Sequence, residues 1–296
     1  MRQILAWLQA ARFPSQIYLI LPIWLGQLWA AALGHPLNSE ILYLTLLFAF
    51  VDQLYIVFAN DYADQDADAL NENPTLFSGG SRVLVDAKIS PKALLRAAQV
   101  AAFTCFMIGG YLAFYFNRPW SVIFALIALG LLWAYSFKPI QASYRGFGVF
   151  LQTLGIAVVL PLFGFYAQAG SLQSFPWVPL AILALSQVSC AMATALPDIE
   201  GDKLGNKHAL AVKLGHRGSQ TCMAFILLVA SVLQALTLHD APGQANPYWV
   251  AIPVGFALIA GIIPKAHTHI VRLASVSLTT ISGALAIEVI YILASI

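Results

Sequence analysis

Long, uninterrupted apolar stretches restrict the fold of this chain more tightly than any other feature. A helix needs about 20 apolar residues to cross a bilayer. Stretches of that kind lie near residues 15–34, 41–60, 93–116, 119–137, 146–168, 176–197, 218–238, 247–264 and 271–294. Backbone inside lipid must satisfy its own hydrogen bonds, so runs this long predict helices rather than strands. Pro22, Pro161 and Pro253 fall inside spans, which membrane bundles tolerate. The expectation is an all-α polytopic membrane protein, a bundle of nine transmembrane helices forming a single domain over residues 1–296. Composition agrees: 9% of the residues are charged, against about 25% in soluble domains. A net charge of +2 excludes a strongly basic nucleic-acid binder, and the apolar content excludes a disordered chain. Cys105, Cys190 and Cys222 sit in apolar stretches without metal-ligand spacing. They read as small core residues, not as a disulfide framework or a zinc site.

Residues 1–13 are short and amphipathic, with Trp7 and Arg12, and no small-residue cleavage site precedes the first span. This predicts a helix lying at the membrane interface rather than a cleaved signal peptide. With the N-terminus in the cytoplasm, every one of the 15 Lys and Arg residues except Arg118 falls on the cytoplasmic side, as the positive-inside rule requires. The chain is then expected in the inner (cytoplasmic) membrane, with its C-terminus on the opposite face. Beyond the bilayer, nothing in the sequence calls for a protein partner. The acids sort the same way. Asp61, Asp64, Asp66, Asp68, Glu72, Asp86, Asp198, Glu200 and Asp202 all lie in the two long cytoplasmic segments, 61–92 and 198–217.

Those two segments carry the chemistry. In the first, Asn60, Asp64 and Asp68 are four residues apart and share one face if the helix continues, with Asp61 beside them. In the second, Asp198 and Asp202 repeat the spacing just after Pro197. Stacked like charges destabilise a bare helix, so the pattern makes sense if a cation holds it together. Oxygen ligands without His or Cys select a hard cation, Mg²⁺ before Ca²⁺, and the twelve-residue EF-hand pattern is missing. Magnesium normally shares itself between carboxylates and substrate phosphate oxygens. Basic residues follow each cluster: Arg82, then Lys203 and Lys207, with Lys138 and Arg145 between spans four and five. Carboxylates with Mg²⁺ and these cations would bind a diphosphate tightly. A solvated acidic loop is the bland alternative for either run by itself. Two runs, equally spaced and each leaving a span on the same side, argue for a site.

The motif Asn60-Asp61-x-x-Asp64-x-x-x-Asp68, together with Asp198-x-x-x-Asp202, resembles the UbiA superfamily of intramembrane prenyltransferases. The stretch from Asp198 to Gly215 resembles the family's second-motif region through its trailing Ala-Val-x-Leu-Gly. Tyr135-Ser136-x-Lys138-Pro139 resembles its tyrosine and basic residue after span four, and the Trp7–Arg12 segment is also similar. The family is itself a nine-helix bundle that joins a prenyl diphosphate to an acceptor, usually aromatic. The resemblance implies that Asn60, Asp64, Asp68, Asp198 and Asp202 hold Mg²⁺ against the diphosphate, assisted by Asp61. It implies that Arg82, Lys138, Lys203 and Lys207 contact the phosphates. Asp64, Asp198 and Tyr135 are then the expected catalytic residues, the Tyr135 ring shielding an allylic cation. Asn60-Asp61-Tyr62-x-Asp64 and Ile89-Ser90-Pro91 resemble the 1,4-dihydroxy-2-naphthoate branch, which makes menaquinone precursors. The segment Phe77 to Arg82 departs from both that branch and the 4-hydroxybenzoate (ubiquinone) branch. The resemblance implies 1,4-dihydroxy-2-naphthoate as the expected acceptor, with 4-hydroxybenzoate or another aromatic ring as the alternative.

Charged residues inside spans are costly and functional by default. Asp52, two turns before Asn60, either orients the acceptor or relays its proton, or makes a buried hydrogen bond to a neighbouring helix. Arg145 is a second candidate for the acceptor, through a carboxylate. Glu288 reads as structural, His267 and His269 as interfacial, and His208 as a weak phosphate contact. Two other classes compete. A secondary transporter would place its charges near the midplane, and a catalytically dead scaffold would not need intact aspartates.

Overall fold

The computed structural model describes residues 2–70 and 80–239, and all regular structure within them is helical. The expected spans at 247–264 and 271–294, with His267, His269 and Glu288, lie outside the described residues. A short helix α1 (Arg2–Ala10) and a 3-10 turn (Phe13–Ser15) lead into α2 (Ile17–Ala32). Then follow α3 (Ser39–Ala63), the short α4 (Gln65–Leu70), α5 (Pro91–Tyr115) and α6 (Trp120–Ser136). A 3-10 turn (Ala142–Arg145) precedes a rod made of α7 (Gly148–Thr153), a π-helical stretch (Leu154–Val159) and α8 (Leu160–Ala169). The described chain ends with α9 (Trp177–Ala195), a 3-10 turn (Leu196–Asp198), α10 (Ile199–Leu204) and α11 (Leu210–His239).

Each of the first seven expected spans falls on one of these helices or, for the fifth, on the rod from α7 to α8. Among the described residues, five segments are long and apolar enough to cross a membrane: Ser39–Ala63, Pro91–Tyr115, Gly148–Ala169, Trp177–Leu204 and Leu210–Leu236. Tyr18–Ala32 and Trp120–Ser136 are shorter apolar helices. Large side chains on the outer faces of α5, α6 and α7, such as Phe103, Phe114, Trp133 and Phe150, stay exposed. In water such a surface would aggregate; facing lipid it is satisfied. The chain is a multi-pass membrane protein.

The helix ends follow local chemistry. Asn38 caps α3, its side-chain oxygen accepting from the Glu40 and Ile41 N–H groups at 2.9 and 3.1 Å, and Glu40 favours the positive end of the helix. Ser90 caps α5 ahead of Pro91, whose missing N–H is no loss at the first helical position. Arg118, the one basic residue expected on the far side, ends α8 instead of facing solvent. Its guanidinium donates to the Ala167 and Gln168 carbonyls at 2.8 and 3.2 Å. Positive charge suits a helix C-terminus.

Lipid is as apolar as a leucine side chain, so close fit rather than water exclusion holds such helices together. Gly26 of α2 faces the Pro161 backbone, and Gly164 of α8 faces the Ile23 backbone. A Cβ at either position would collide with main-chain atoms of the other helix. Phe163 completes the contact, edge-on to Phe48 at 4.9 Å and stacked on Phe124 at 5.4 Å. The π-helical stretch lies directly before Pro161, which has no N–H to give to the preceding turn. Wide turns of this kind often mark functional sites, and here Gly155 and Ile156 line the central cavity.

Two segments differ from the sequence expectation. The seventh span begins at Leu210 rather than 218, because a first turn and a half precedes a break at Gly215 (φ 67°, ψ 176°). That backbone conformation is open to glycine and strained for other residues. The first aspartate motif, which shares one face if the helix continues, is carried by two helices rather than one: α3 ends at Ala63 and Gln65–Leu70 form the separate α4.

Candidate active site

The bundle encloses a cavity of about 1330 Å³. Its inner wall is mostly apolar, with Leu19, Ile56, Leu131, Ile156 and Leu160. Its mouth carries Asn60, Asp64, Asp68, Arg82, Asp198, Asp202 and Lys207. The two aspartate motifs, 138 residues apart in the chain counted from Asn60 to Asp198 (198 − 60), therefore meet at one opening.

The first motif is stacked as its spacing required. Helix α3 gives way to α4 at Asp64, yet the Asp64 N–H still donates to Asn60 O and the Asp68 N–H to Asp64 O, both at 2.8 Å. The side chains of Asn60, Asp64 and Asp68 consequently face the cavity together. Asn60 Nδ2 donates to Asp64 Oδ2 at 3.1 Å and to Ser136 Oγ at 3.2 Å. The Tyr144 hydroxyl donates to Asp64 Oδ1 at 3.2 Å.

Lys207 joins the motifs. Its Nζ is 3.7 Å from Asp64 Oδ2 and 3.5 Å from Asp202 Oδ1, and it sits over the Tyr144 ring, 5.3 Å from the centroid. The backbone sets this up: the Lys207 N–H donates to Asp202 O at 2.8 Å, and the His208 N–H donates to Tyr144 O at 2.9 Å. Burial by itself would lower the lysine pKa, but the fields of Asp64, Tyr135 and Asp202 raise it above its ordinary value. Lys207 is thus a firmly held cation. Burial, reinforced by Asp64, raises the Tyr144 pKa and keeps it a neutral donor. Asp68 is pushed up to about 7, by burial first and then by Asp61 and Asp64. Crowded carboxylates of this sort are poised for a cation.

Asp61 has a different place. It is 3% exposed and does not line the cavity. It accepts from the Arg12 guanidinium, the Ser81 hydroxyl and the Ser81 N–H. Gln9 in turn donates to the Ser81 carbonyl at 2.7 Å. This knot pins the N-terminal helix and the 80–82 segment to the end of α3. Trp7 packs edge-on against Phe58 at 5.8 Å, while Ile4 and Leu5 face outward, which fits an interfacial helix. Gly80 passes so close to the Asp68 carboxylate that a Cβ would strike it. Arg82, also at positive φ, donates to the Asp68 carbonyl at 2.8 Å.

Tyr135 and Asp52 also line the cavity, Tyr135 near the carboxylates and Asp52 two turns deeper along α3. Besides Asp61, four expected residues are not brought to it. Lys203 is exposed and pairs with Glu200 at 3.0 Å, because adjacent helix positions point about 100° apart and Asp202 takes the inner one. Lys138 lies exposed beyond the end of α6. Arg145 is exposed, its guanidinium donating to the Pro139 carbonyl at 2.7 Å. His208 is exposed as well. Conversely, no sequence pattern singles out Tyr144 or Ser81, and Arg12 stands out there only as part of the Trp7–Arg12 segment. Tyr144 directly precedes Arg145, and only the 3-10 turn decides which of the two points inward.

The donor set suits a hard divalent ion: oxygen ligands only, in a cluster with more carboxylates than cations. Among the described residues, no three His, Cys, Asp or Glu side chains close around one point. An ion here would therefore take one or two carboxylates and complete its shell with water and phosphate oxygens, as Mg²⁺ commonly does.

Comparison with known proteins agrees with this geometry. The profile of the UbiA prenyltransferase family matches residues 19–275. The chain is 26% identical over 232 residues to a 1,4-dihydroxy-2-naphthoate octaprenyltransferase of Bacillus subtilis (strain 168), covering 75% of this chain and 71% of that one. It is 33% identical over 153 residues to a probable chloroplastic homogentisate phytyltransferase 2 of Oryza sativa subsp. japonica, covering 48% and 39%. Among solved structures, the apo UbiA homolog from Aeropyrum pernix K1 superposes with a TM-score of 0.68 at 16% identity, over 92% of this chain and 97% of that one. The UbiA homolog from Archaeoglobus fulgidus bound to GPP and Mg²⁺ gives 0.63 at 16% identity, over 94% and 99%. With a family match spanning most of its length and both aspartate motifs gathered at one cavity mouth, the chain belongs to the UbiA prenyltransferase family.

Proposed function

We propose that this protein moves a prenyl group from an allylic prenyl diphosphate to an aromatic acceptor in a Mg²⁺-dependent reaction, with 1,4-dihydroxy-2-naphthoate as the acceptor. The observation that carries the reading is Lys207 bridging Asp64 and Asp202 at the mouth of an apolar cavity. A diphosphate head fits the charged rim and a prenyl tail fits the interior. The acceptor is supported by relatives named for it in Bacillus subtilis and in Mycobacterium tuberculosis, the latter 27% identical over 199 residues. The positive-inside count supports an inner-membrane location with this rim in the cytoplasm.

Asn60, Asp64, Asp68, Asp198 and Asp202 would share the Mg²⁺ ions, with one or two carboxylates to each ion. Mg²⁺ held there would supply charge neutralisation to the diphosphate. Lys207 and Arg82 take phosphate oxygens directly, and Tyr144 fixes Asp64. The leaving diphosphate stays at the rim, and the allylic cation is left against the Tyr135 ring face, which attracts it. Apolar walls keep water from the cation. The acceptor ring forms the new C–C bond, and its proton, or carbon dioxide from a carboxylated ring, departs.

The test is a prenyl-transfer assay on purified protein in nanodiscs, with labelled geranylgeranyl or longer diphosphate. 1,4-Dihydroxy-2-naphthoate and 4-hydroxybenzoate are offered in parallel, with Mg²⁺ or with EDTA. The expected result is naphthoate product only, lost in EDTA and restored by Mg²⁺. Product on 4-hydroxybenzoate alone would reassign the acceptor. Chelator-insensitive transfer would remove the metal from the reading.

A further inference from the structure

A second polar station lies inside the cavity. Asp52 and Gln53 of α3 both line it, at 2% and 4% exposure. Among the described residues, Asp52 Oδ1 and Gln53 Oε1 have no hydrogen-bond partner. Eight residues at about 1.5 Å rise place Asp52 about 12 Å inward from Asn60, well away from the carboxylates at the mouth.

The orientation of the Gln53 amide is dictated by its neighbours. The Ser15 hydroxyl gives its proton to the Arg12 carbonyl at 2.8 Å. Ser15 Oγ can then offer Gln53 only lone pairs. The Gln53 amide nitrogen must face Ser15, at 2.9 Å, and its oxygen is left turned away with no donor. Asp52 adds a carboxyl oxygen in the same condition. Buried acceptors are normally satisfied, and a pair of them on a cavity wall is a request for donors from a ligand.

We infer that Asp52 and Gln53 form the acceptor subsite and select an aromatic ring by its free phenolic hydroxyl groups, whose hydrogens they accept. The inference rests on the proposed prenyl transfer and adds what the site recognises. A ring whose hydroxyls are methylated brings oxygens to oxygens there and leaves all of them unpaired. So does a carboxylate placed at the same depth. Sites built to bond a substrate hydroxyl reject analogues lacking it far more strongly than apolar pockets reject a missing methylene.

The experiment uses the full chain in nanodiscs with Mg²⁺ and geranylgeranyl or longer diphosphate. The acceptors are 1,4-dihydroxy-2-naphthoate and its two mono-O-methyl ethers. The wild type is compared with Asp52→Leu, Asp52→Asn and Gln53→Leu. The wild type is expected to prefer the free diol by about 100-fold or more in kcat/KM over at least one ether. Asp52→Leu should raise the acceptor KM about 10-fold or more and shrink that preference to a few-fold, with the prenyl diphosphate KM unchanged. Gln53→Leu should move both in the same direction. If Asp52→Leu is not recovered monodisperse, Asp52→Asn, which keeps the volume but replaces one acceptor oxygen by a donor, decides together with Gln53→Leu. Intact transfer with the preference unaltered in the variants overturns the inference and leaves the proposed function standing. A wild type that binds the diphosphate but prenylates none of the acceptors overturns both.

Discussion

Removing the bridging cation at position 207 is the sharpest perturbation the site offers. Lys207→Met keeps a long apolar stem and deletes the charge. Two effects compete. At 3.5 and 3.7 Å and an effective dielectric of about 20, the gross attraction to each aspartate is roughly 4 to 5 kcal/mol, most of it offset by desolvation. Loss of the lysine therefore frees Asp64 and Asp202 for metal and adds to the local carboxylate repulsion. Against this, the diphosphate loses a charge-assisted contact that contributes about 1.5–3 kcal/mol. That converts to a fall of about 10- to 150-fold in kcat/KM for the prenyl diphosphate, at about 1.4 kcal/mol per decade. The assay is steady-state transfer at saturating acceptor, with Mg²⁺ titrated in each variant. The expected pattern is a raised diphosphate KM, an unchanged acceptor KM and a Mg²⁺ half-saturation no higher than wild type. Lys207→Arg, which keeps the charge, should lose less. A Lys207→Met enzyme with wild-type kcat/KM for the diphosphate would refute the placement of the phosphate at this rim.

Other substitutions probe separate parts of the argument. Asp64→Asn and Asp198→Asn should each cost at least about 100-fold in rate while the protein remains monodisperse by size exclusion, since one donor in such a site is worth about that much. Near-normal turnover in both would remove the metal assignment. Asp61→Asn leaves the Arg12 guanidinium facing a neutral amide and should lower the melting temperature, with the N-terminal helix becoming the first site of protease cleavage; breaking a buried pair costs about 3–5 kcal/mol, and the part-exposed arginine (26%) puts the value below that range. An unchanged melting temperature and cleavage pattern would contradict the pinning role. Gly164→Leu drives a side chain into the Ile23 backbone and should cost about 1–3 kcal/mol or more, read as a lower melting temperature, whereas Gly130→Leu, which meets open space, should not.

Much of the site was legible from spacing alone. Asn60, Asp64 and Asp68 share a face because four residues make about one helical turn, and the hydrogen-bond ladder runs through the α3–α4 junction. Asp198 and Asp202 follow the same rule. The basic residues were harder to read. Of the four expected at the phosphate, Arg82 and Lys207 reach the cavity, while Lys203 and Lys138 stay in solvent. Asp61 carries the same charge as its neighbours but is turned to Arg12 and Ser81. In each case the decision lies in rotation about a helix axis or in a short turn, which charge counting does not register.

Hydrophobic length and one-sided charge are properties of the chain read in one dimension. They determined by themselves that this protein is a helical membrane bundle with its acidic motifs on one side, because lipid leaves the backbone no alternative to internal hydrogen bonding. Which side chains converge is a three-dimensional matter. Only the packing of α10 against α4, and of the Ala142–Arg145 turn against the 206–208 segment, set Lys207 and Tyr144 on Asp64. Only the Arg12–Ser15–Gln53 hydrogen-bond chain left the Gln53 oxygen without a donor among the described residues. Those contacts join residues far apart in sequence, and their geometry depends on helix rotations that no local pattern encodes.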